Sequence, residues 1–379
     1  MDVTLVIPGR NCEGTLARCL DSVVGFLDRN QLAEIIFVND GSTDATSRIA
    51  ASYPITVLTG AGQGPGAARN QGWRHARTEL VWFIDSDCVA HQDALDILLK
   101  HFRPNVAGTR PVPSADSQPP KSKSPLAGVG GSYSNLYPDS LLATLIHEEI
   151  VARHRRMPTE VNFLATFNVL YRRDVLAQTG GFDESLKLAQ DAELAFRICE
   201  SGYRLHLDIA SKVGHHHPTN LWRYLKTQAR QGCYRMALYR RHPTKIKGDS
   251  YAGLLDYVQP PLAMLLLVSL PLFLSALLGR PSLIVVPVLL LVILLLLQLP
   301  MTFGILVNPS STLRSTFFPA MSSMRAISRG IGMTVGVFFL KPKTTVADPV
   351  KDPSFTESTI ELTTATSTAH VSTRSTVLS

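Results

Sequence analysis

The sequence has no C-x-x-C pair. Its five cysteines, Cys12, Cys19, Cys88, Cys199 and Cys233, are scattered and odd in number. A disulfide framework and a thiolate zinc site are excluded, and the pattern fits a reducing compartment. No G-x-G-x-x-G follows the first strand-like run, Val3-Thr4-Leu5-Val6-Ile7, which continues as Pro8-Gly9-Arg10-Asn11. That disfavours a dinucleotide dehydrogenase, and a nucleotidyltransferase as well, since the latter needs a G-x-G-T-R-like phosphate loop there. No basic n-region precedes Val3, so no cleavable signal peptide is expected. Charge is scarce: 18% of the 379 residues are charged and 45% are hydrophobic.

The apolar excess sits in one place, in two runs over Val258–Leu278 and Leu283–Val307, separated by Gly279-Arg280-Pro281-Ser282. Neither run contains Asp, Glu, Lys or Arg, and each is close to the ~20 residues that cross a bilayer. Arg235, Arg240, Arg241, Lys245 and Lys247 flank one side, and Arg314, Arg325 and Arg329 the other. The positive-inside rule then makes the pair a hairpin with both ends cytoplasmic. The net charge of +7, concentrated before this zone, points to a membrane surface and away from nucleic acid. Ile327–Leu340 is short and glycine-rich, fitting either a third span or an interfacial helix. From Lys341 the chain is Thr/Ser-rich and expected to be disordered. The expected division is a catalytic domain over 1–245, a hairpin over 254–307, an interfacial or third membrane helix over 308–343, and a tail over 344–379.

Ahead of the hairpin, strand and helix alternate. Strands are expected at Val3–Ile7, Glu34–Val38, Ile55–Leu58 and Glu79–Ile84, and helices at Gly14–Leu27, Asp44–Ser52 and Ala67–Ala76. That is the signature of an α/β fold with a mostly parallel sheet flanked by helices. A short strand is expected at Val106-Ala107-Gly108. Residues 111–135, rich in Pro, Ser, Gly and Lys, read as a mobile loop over a site or as a disordered insert. Helices are expected over Ser140–Arg156 and from Gln190 to Glu200, a strand over Gly202–Leu207, and a long basic helix over Leu221–Arg241.

The stretch Glu79-Leu80-Val81-Trp82-Phe83-Ile84-Asp85-Ser86-Asp87 is a buried strand that stops at two carboxylates spaced i, i+2. Ligands collect at the C-terminal edge of such a sheet. Paired carboxylates there need a positive partner. A divalent cation, Mg²⁺ or Mn²⁺, that also binds phosphate would supply it. A solvated turn is the plainer alternative.

Taken in order, the motifs resemble those of the inverting family 2 glycosyltransferases, which have a GT-A fold. Val6-Ile7-Pro8 with Asn11 resembles the opening strand motif, and Val38-Asn39-Asp40-Gly41-Ser42-Thr43-Asp44 the V-D-D-G-S-x-D loop. Gly66-Ala67-Ala68-Arg69-Asn70-Gln71-Gly72 is similar to G-x-x-x-A-R-N-x-G, and Asp85-Ser86-Asp87 sits where the metal-binding D-x-D does. Gly180-Gly181-Phe182-Asp183-Glu184, followed by Gln190-Asp191 and Arg197, resembles G-G-F-D-E…E-D-x-D-L-x-x-R. The resemblance covers about residues 1–240.

It implies a donor site for a nucleotide-diphospho-sugar in which Pro8 and Asn11 line the pocket, Asp40 contacts the base, and Arg69 holds an anion. Asp87 and Asp85 would ligate the metal, joined by His215, and Arg230 would face the diphosphate. Asp191 would be the base that deprotonates the acceptor hydroxyl. Gln190 stands where the family has Glu, Glu193 where it has a second Asp, and Cys88 where a third acid is common. Gln228-Ala229-Arg230-Gln231-Gly232 lies where processive synthases carry Q-x-x-R-W. It lacks the Trp, so a polymer-extruding synthase is not expected. The expected function is metal-dependent inverting transfer to a glycan or lipid-linked acceptor at the membrane. The alternative is a degenerate, non-catalytic membrane scaffold.

Overall fold

The computed structural model of the chain describes residues 2–103, 124–307 and 313–339. Its first half consists of β1 (Val3–Gly9), α1 (Leu16–Asp28), β2 (Glu34–Asn39), α2 (Thr46–Ala50), β3 (Thr56–Thr59), α3 (Pro65–His75), β4 (Leu80–Ile84), β5 (Cys88–Ala90) and α4 (Ala94–Leu99). There follow β6 (Leu126–Asn135), α5 (Leu141–Arg156), β7 (Glu160–Val161), β8 (Asn168–Arg172), α6 (Arg173–Gln178), α7 (Gln190–Glu200), β9 (Arg204–His215) and α8 (Leu221–Arg241). The C-terminal helices are α9 (Leu254–Ser269), α10 (Val285–Leu296), α11 (Leu299–Leu306) and α12 (Phe318–Phe339). The strand expected at Val106-Ala107-Gly108 and the tail from Lys341 lie outside the described residues.

One sheet runs in the order β3-β2-β1-β4-β8-β6-β9-β5, with β7 on β9. The first four strands are parallel. β8 enters antiparallel to β4 and β6, and β6 and β9 are again parallel. Both faces of the sheet are covered, which is why its strands read as continuous apolar runs. Leu5 and Ile7 of β1 share a core with Leu16, Leu20 and Val23 of α1 and Leu95 and Leu98 of α4. Val6, pointing the other way, shares one with Trp73 of α3 and Leu194 and Ile198 of α7.

The soft region expected over 111–135 is corrected by its second part, since β6 is a central strand. Its glycines are dictated by packing. A Cβ on Gly128 would run into the ring of Tyr171, and one on Gly131 into the amide of Asn168. Composition suggested a loop, but close neighbours on both sides impose small residues.

Two helical stretches, Leu254–Ser275 of 22 residues and Pro281–Leu306 of 26, are long and apolar enough to cross a membrane. α12 is packed along α8 and α9. Its glycines make that possible: a Cβ on Gly332 would run into the carbonyl of Ala229, and one on Gly336 would lie 2.6 Å from that of Cys233. Gly232 of α8 gives the same room to the carbonyl of Arg329. Small residues on both helices let the backbones approach, as in membrane helix pairs.

Candidate active site

The parallel strands deliver their C-terminal ends to one edge. Pro8 closes β1, Asp40 follows β2, and Asp85 follows β4. The Gly9 carbonyl accepts from the Asp40 amide on the β2 side. Pro8, one residue out of phase, therefore turns its nitrogen toward β4, past the last paired residues Val6 and Phe83, and no ladder bond is lost. Asn11 adopts a left-handed φ of 51°. Its Oδ1 accepts from the Thr43 amide at 2.8 Å, joining the first loop to the one after β2.

Asp40 is 4% exposed. Its two oxygens accept from the Gln63 and Gly64 amides at 3.0 and 2.7 Å, so it holds the glycine-rich loop 60–66 in place. That loop opens α3, which carries Arg69, itself 4% exposed. Arg69 Nη2 donates to Asp85 Oδ1 at 2.6 Å, while its buried Nε and Nη1 have no hydrogen-bond partner among the described residues. Two charge-assisted donors are thus left for an anion.

Asn70, the next residue, was not singled out by the sequence. Its Oδ1 accepts from the Phe182 amide, and its Nδ2 donates to the Phe182 carbonyl and to Glu184, each at 2.8 Å. It clamps the loop 180–184 that leads to α7, where Ala189 turns with φ 63° into the helix. Asp191 sits in the first turn. Ala192 donates its amide to Asp191 Oδ1 at 2.8 Å. Burial dominates, and the Asp191 pKa is raised even though that amide and Arg69 act to lower it. A carboxylate with raised proton affinity is suited to accept a proton.

Asp87 and His215 are brought together by sheet register, because Cys88 of β5 lies opposite His215 of β9. His215 Nε2 is 3.7 Å from Asp87 Oδ2. The other ring nitrogen, Nδ1, lies 3.0 Å from Nδ1 of His217, which burial keeps neutral with a pKa pushed down to about 2. The tautomer with its proton on His215 Nδ1 leaves the Nε2 lone pair for a cation. Ligand atoms of Asp87, Cys88 and His215 lie within 4.8 Å of one another. Cys88 is fully buried in the core beside α1, and burial raises its thiol pKa, so carboxylates and imidazole are the effective donors. Burial and Asp85 also raise the Asp87 pKa. A cation between these groups would relieve both effects. Hard oxygens with one imidazole suit Mg²⁺ or Mn²⁺.

Pro8, Asn11, Asp40, Arg69, Asp85, Asp87, Asp191, His215 and Arg230 all line a single cleft of about 1350 Å³. Arg230, on α8, is exposed and makes no ion pair among the described residues. Gln190, standing for the family's Glu, is buried, and its Oε1 has no hydrogen-bond partner among the described residues. Glu193 instead forms an ion pair with Arg197 at 2.7 Å, away from the cleft lining.

Residues 4–180 match the sequence model of Glycosyl transferase family 2. Among curated proteins, the chain is 31% identical over 251 residues to a pre-mycofactocin glycosyltransferase of Mycobacterium tuberculosis, covering 64% of this chain and 49% of that one. It is 25% identical to the glycosyltransferase AglE of Haloferax volcanii over 61% of this chain and 71% of that one. The chain thus spans about half the length of the first of these relatives. A solved mannosyltransferase of Pyrobaculum calidifontis, in complex with GDP-Man and Mn²⁺, superposes with a TM-score of 0.52 at 16% identity, over 89% of this chain and 88% of that one. That likeness is one of fold. Residues 4–180 thus match a family 2 glycosyltransferase domain, and the fold is GT-A.

Proposed function

We propose that the chain is a metal-dependent inverting glycosyltransferase that moves a sugar from a nucleotide-diphospho-sugar to an acceptor hydroxyl at a membrane. The observation that carries this is the convergence of Asp85, Asp87, His215, the Arg69 donors left without a partner among the described residues, and the half-buried Asp191 on one cleft. Asp87, Asp85 and His215 would hold the cation. When bound, it supplies Lewis-acid stabilisation of the diphosphate as the leaving group. Arg69 adds fixed positive charge to the same anion, and its pair with Asp85 orients it. Asp40 holds the glycine-rich loop that would border the base.

Asp191 takes the proton from the acceptor hydroxyl. The hydroxyl oxygen bonds to the anomeric carbon, the bond from that carbon to the diphosphate breaks, and the nucleoside diphosphate leaves. Gln190 removes one carboxylate beside Asp191 and leaves the base itself in place.

The membrane setting rests on the surface of the C-terminal helices. Leu265, Val268, Leu274, Val285, Leu289, Leu296 and Phe303 are exposed along Leu254–Ser275 and Pro281–Leu306. So continuous an apolar wall calls for lipid. We place the catalytic domain over 1–245 on the cytoplasmic side, followed by a hairpin over 254–307. The test is turnover: incubation with UDP-, GDP- and dTDP-sugars and Mn²⁺ should release the nucleoside diphosphate, and Asp87→Ala should not. Equal release by that variant would refute the metal assignment, and no release from any donor would favour the non-catalytic scaffold.

A further inference from the structure

The register of β9 against β5 places His215 beside Asp87, but register does not decide which of its ring nitrogens is bare. The chain leaves β9 in a three-residue turn, in which the His217 amide donates to the His215 carbonyl at 3.0 Å. In an extended strand, side chains two residues apart are spaced roughly 6.6 Å. The turn draws the two rings to a centroid distance of 4.6 Å and their Nδ1 atoms to 3.0 Å. Pro218 follows and restricts the His217 backbone. Tyr133 of β6 packs against both rings, with centroids 4.8 Å from His215 and 5.6 Å from His217. His217 is 2% exposed, so its ring is held on all sides.

Two neutral imidazoles whose Nδ1 atoms lie 3.0 Å apart share one proton between them. If His217 donates it, His215 carries its own proton on Nε2, and a cation near Asp87 Oδ2, 3.7 Å away, meets an N–H. If His217 accepts, the His215 Nε2 lone pair faces that carboxylate. The accepting His217 then has its proton on Nε2, which is buried and has no hydrogen-bond partner among the described residues. The buried Nδ1 of His147, on α5, likewise has none, and its ring lies 5.6 Å from that of His217. A donor and an acceptor thus share one pocket. A carboxylate in the place of His217 would also accept from His215, but it would add a third negative charge beside Asp85 and Asp87.

We propose that His217 is a positioning residue of the cation site: by accepting the Nδ1 proton of His215 it holds the one tautomer of that ring that can ligate at Nε2. This inference rests on the proposed cation site and adds the residue that keeps it receptive. It also separates the three consecutive histidines. His215 faces the cation, His217 sets its tautomer, and His216 turns away, with its Nδ1 2.8 Å from the Tyr137 hydroxyl.

The test uses the full solubilised chain with isotope-labelled histidine, and His215 is identified in its nitrogen NMR spectrum through His215→Gln. Without metal, the unaltered chain should carry the His215 proton on Nδ1. His217→Phe, which keeps a ring but no acceptor, should move that proton to Nε2. Mn²⁺ binding, read by electron paramagnetic resonance with UDP or GDP present, should weaken roughly ten- to a hundredfold in His217→Phe. His217→Asn, which sets an acceptor oxygen near the place of Nδ1, should recover part of the loss, and His216→Phe should bind Mn²⁺ as the unaltered chain does. A proton on His215 Nε2 in the unaltered chain, or equal Mn²⁺ affinity in His217→Phe, would overturn this inference alone. Mn²⁺ binding that ignores Asp87→Ala would overturn the cation site and this inference with it. If His217→Phe does not fold, the His215 tautomer in the unaltered chain decides.

Discussion

Replacing Asp191 by Asn should separate catalysis from stability. The amide keeps the volume and an oxygen for the Ala192 N–H, but it cannot take a proton. General-base catalysis contributes roughly 10²–10⁴ in rate, which is about 3–5 kcal/mol of barrier. Turnover should fall by that factor while donor binding is retained. Stability should move the other way. Burial raises the Asp191 pKa in the folded chain above its value in the unfolded chain. The protonated form is thus favoured by folding, and above the folded pKa the ionised carboxylate weakens the native state. Each tenfold gain in proton affinity on folding costs about 1.4 kcal/mol at neutral pH. Asp191→Asn removes that cost, so at pH 7.5 its melting temperature should equal or exceed that of the unaltered chain. The difference should fade as pH falls through the raised pKa, where Asp191 is neutral as well. In the unaltered enzyme the rate should fall with acid over the same interval, at a pH above that of an ordinary aspartate. Turnover assays and melting curves at pH 7.5 and pH 4 check both effects. A variant that turns over at the original rate, or is less stable at pH 7.5 by an amount that persists at pH 4, refutes the reasoning.

Three further outcomes are expected. Asn70→Ala removes the hydrogen bonds that clamp loop 180–184; at roughly 1 kcal/mol each this should lower stability by about 2–3 kcal/mol and kcat with it, as denaturant titration and kinetics would show. Gly332→Leu drives a side chain into the Ala229 carbonyl; overpacking of about 1–3 kcal/mol or more should lower the melting temperature by several degrees, and an unchanged value would contradict the α8–α12 seam. Trp222 on α8 is 79% exposed, whereas Trp73 and Trp82 are buried. Brominated lipids should therefore quench fluorescence through Trp222 alone, and Trp222→Phe should abolish the quenching.

The first half of the fold was legible because its strands end in turn-forming loops and its helices carry regular apolar spacing. Pro8, Asp40 and Asp85 could be placed at one edge from the parallel order alone. His215 could not, since its place beside Asp87 depends on the register of β9 against β5. β6 was hidden because its glycines answer to neighbours remote in sequence, Tyr171 and Asn168. Asn70 was visible as part of a motif but not as a clamp, because its partners lie 112 and 114 residues away. Arg329 appeared as a flanking charge of an apolar run. Only the packing of α12 on α8 shows that it lines the cleft, and that the glycine at 232 makes room for it.

The central claim is that the cleft binds a nucleotide-diphospho-sugar through a divalent cation. It is tested most directly by melting the solubilised chain with a panel of UDP-, GDP- and dTDP-sugars, each with and without Mn²⁺. A ligand at a hundred times its Kd stabilises by about 2.7 kcal/mol. One nucleotide series should raise the melting temperature only when Mn²⁺ is present, and Asp87→Ala should abolish the rise. No shift with any donor, or a shift that ignores both Mn²⁺ and Asp87, would contradict the account.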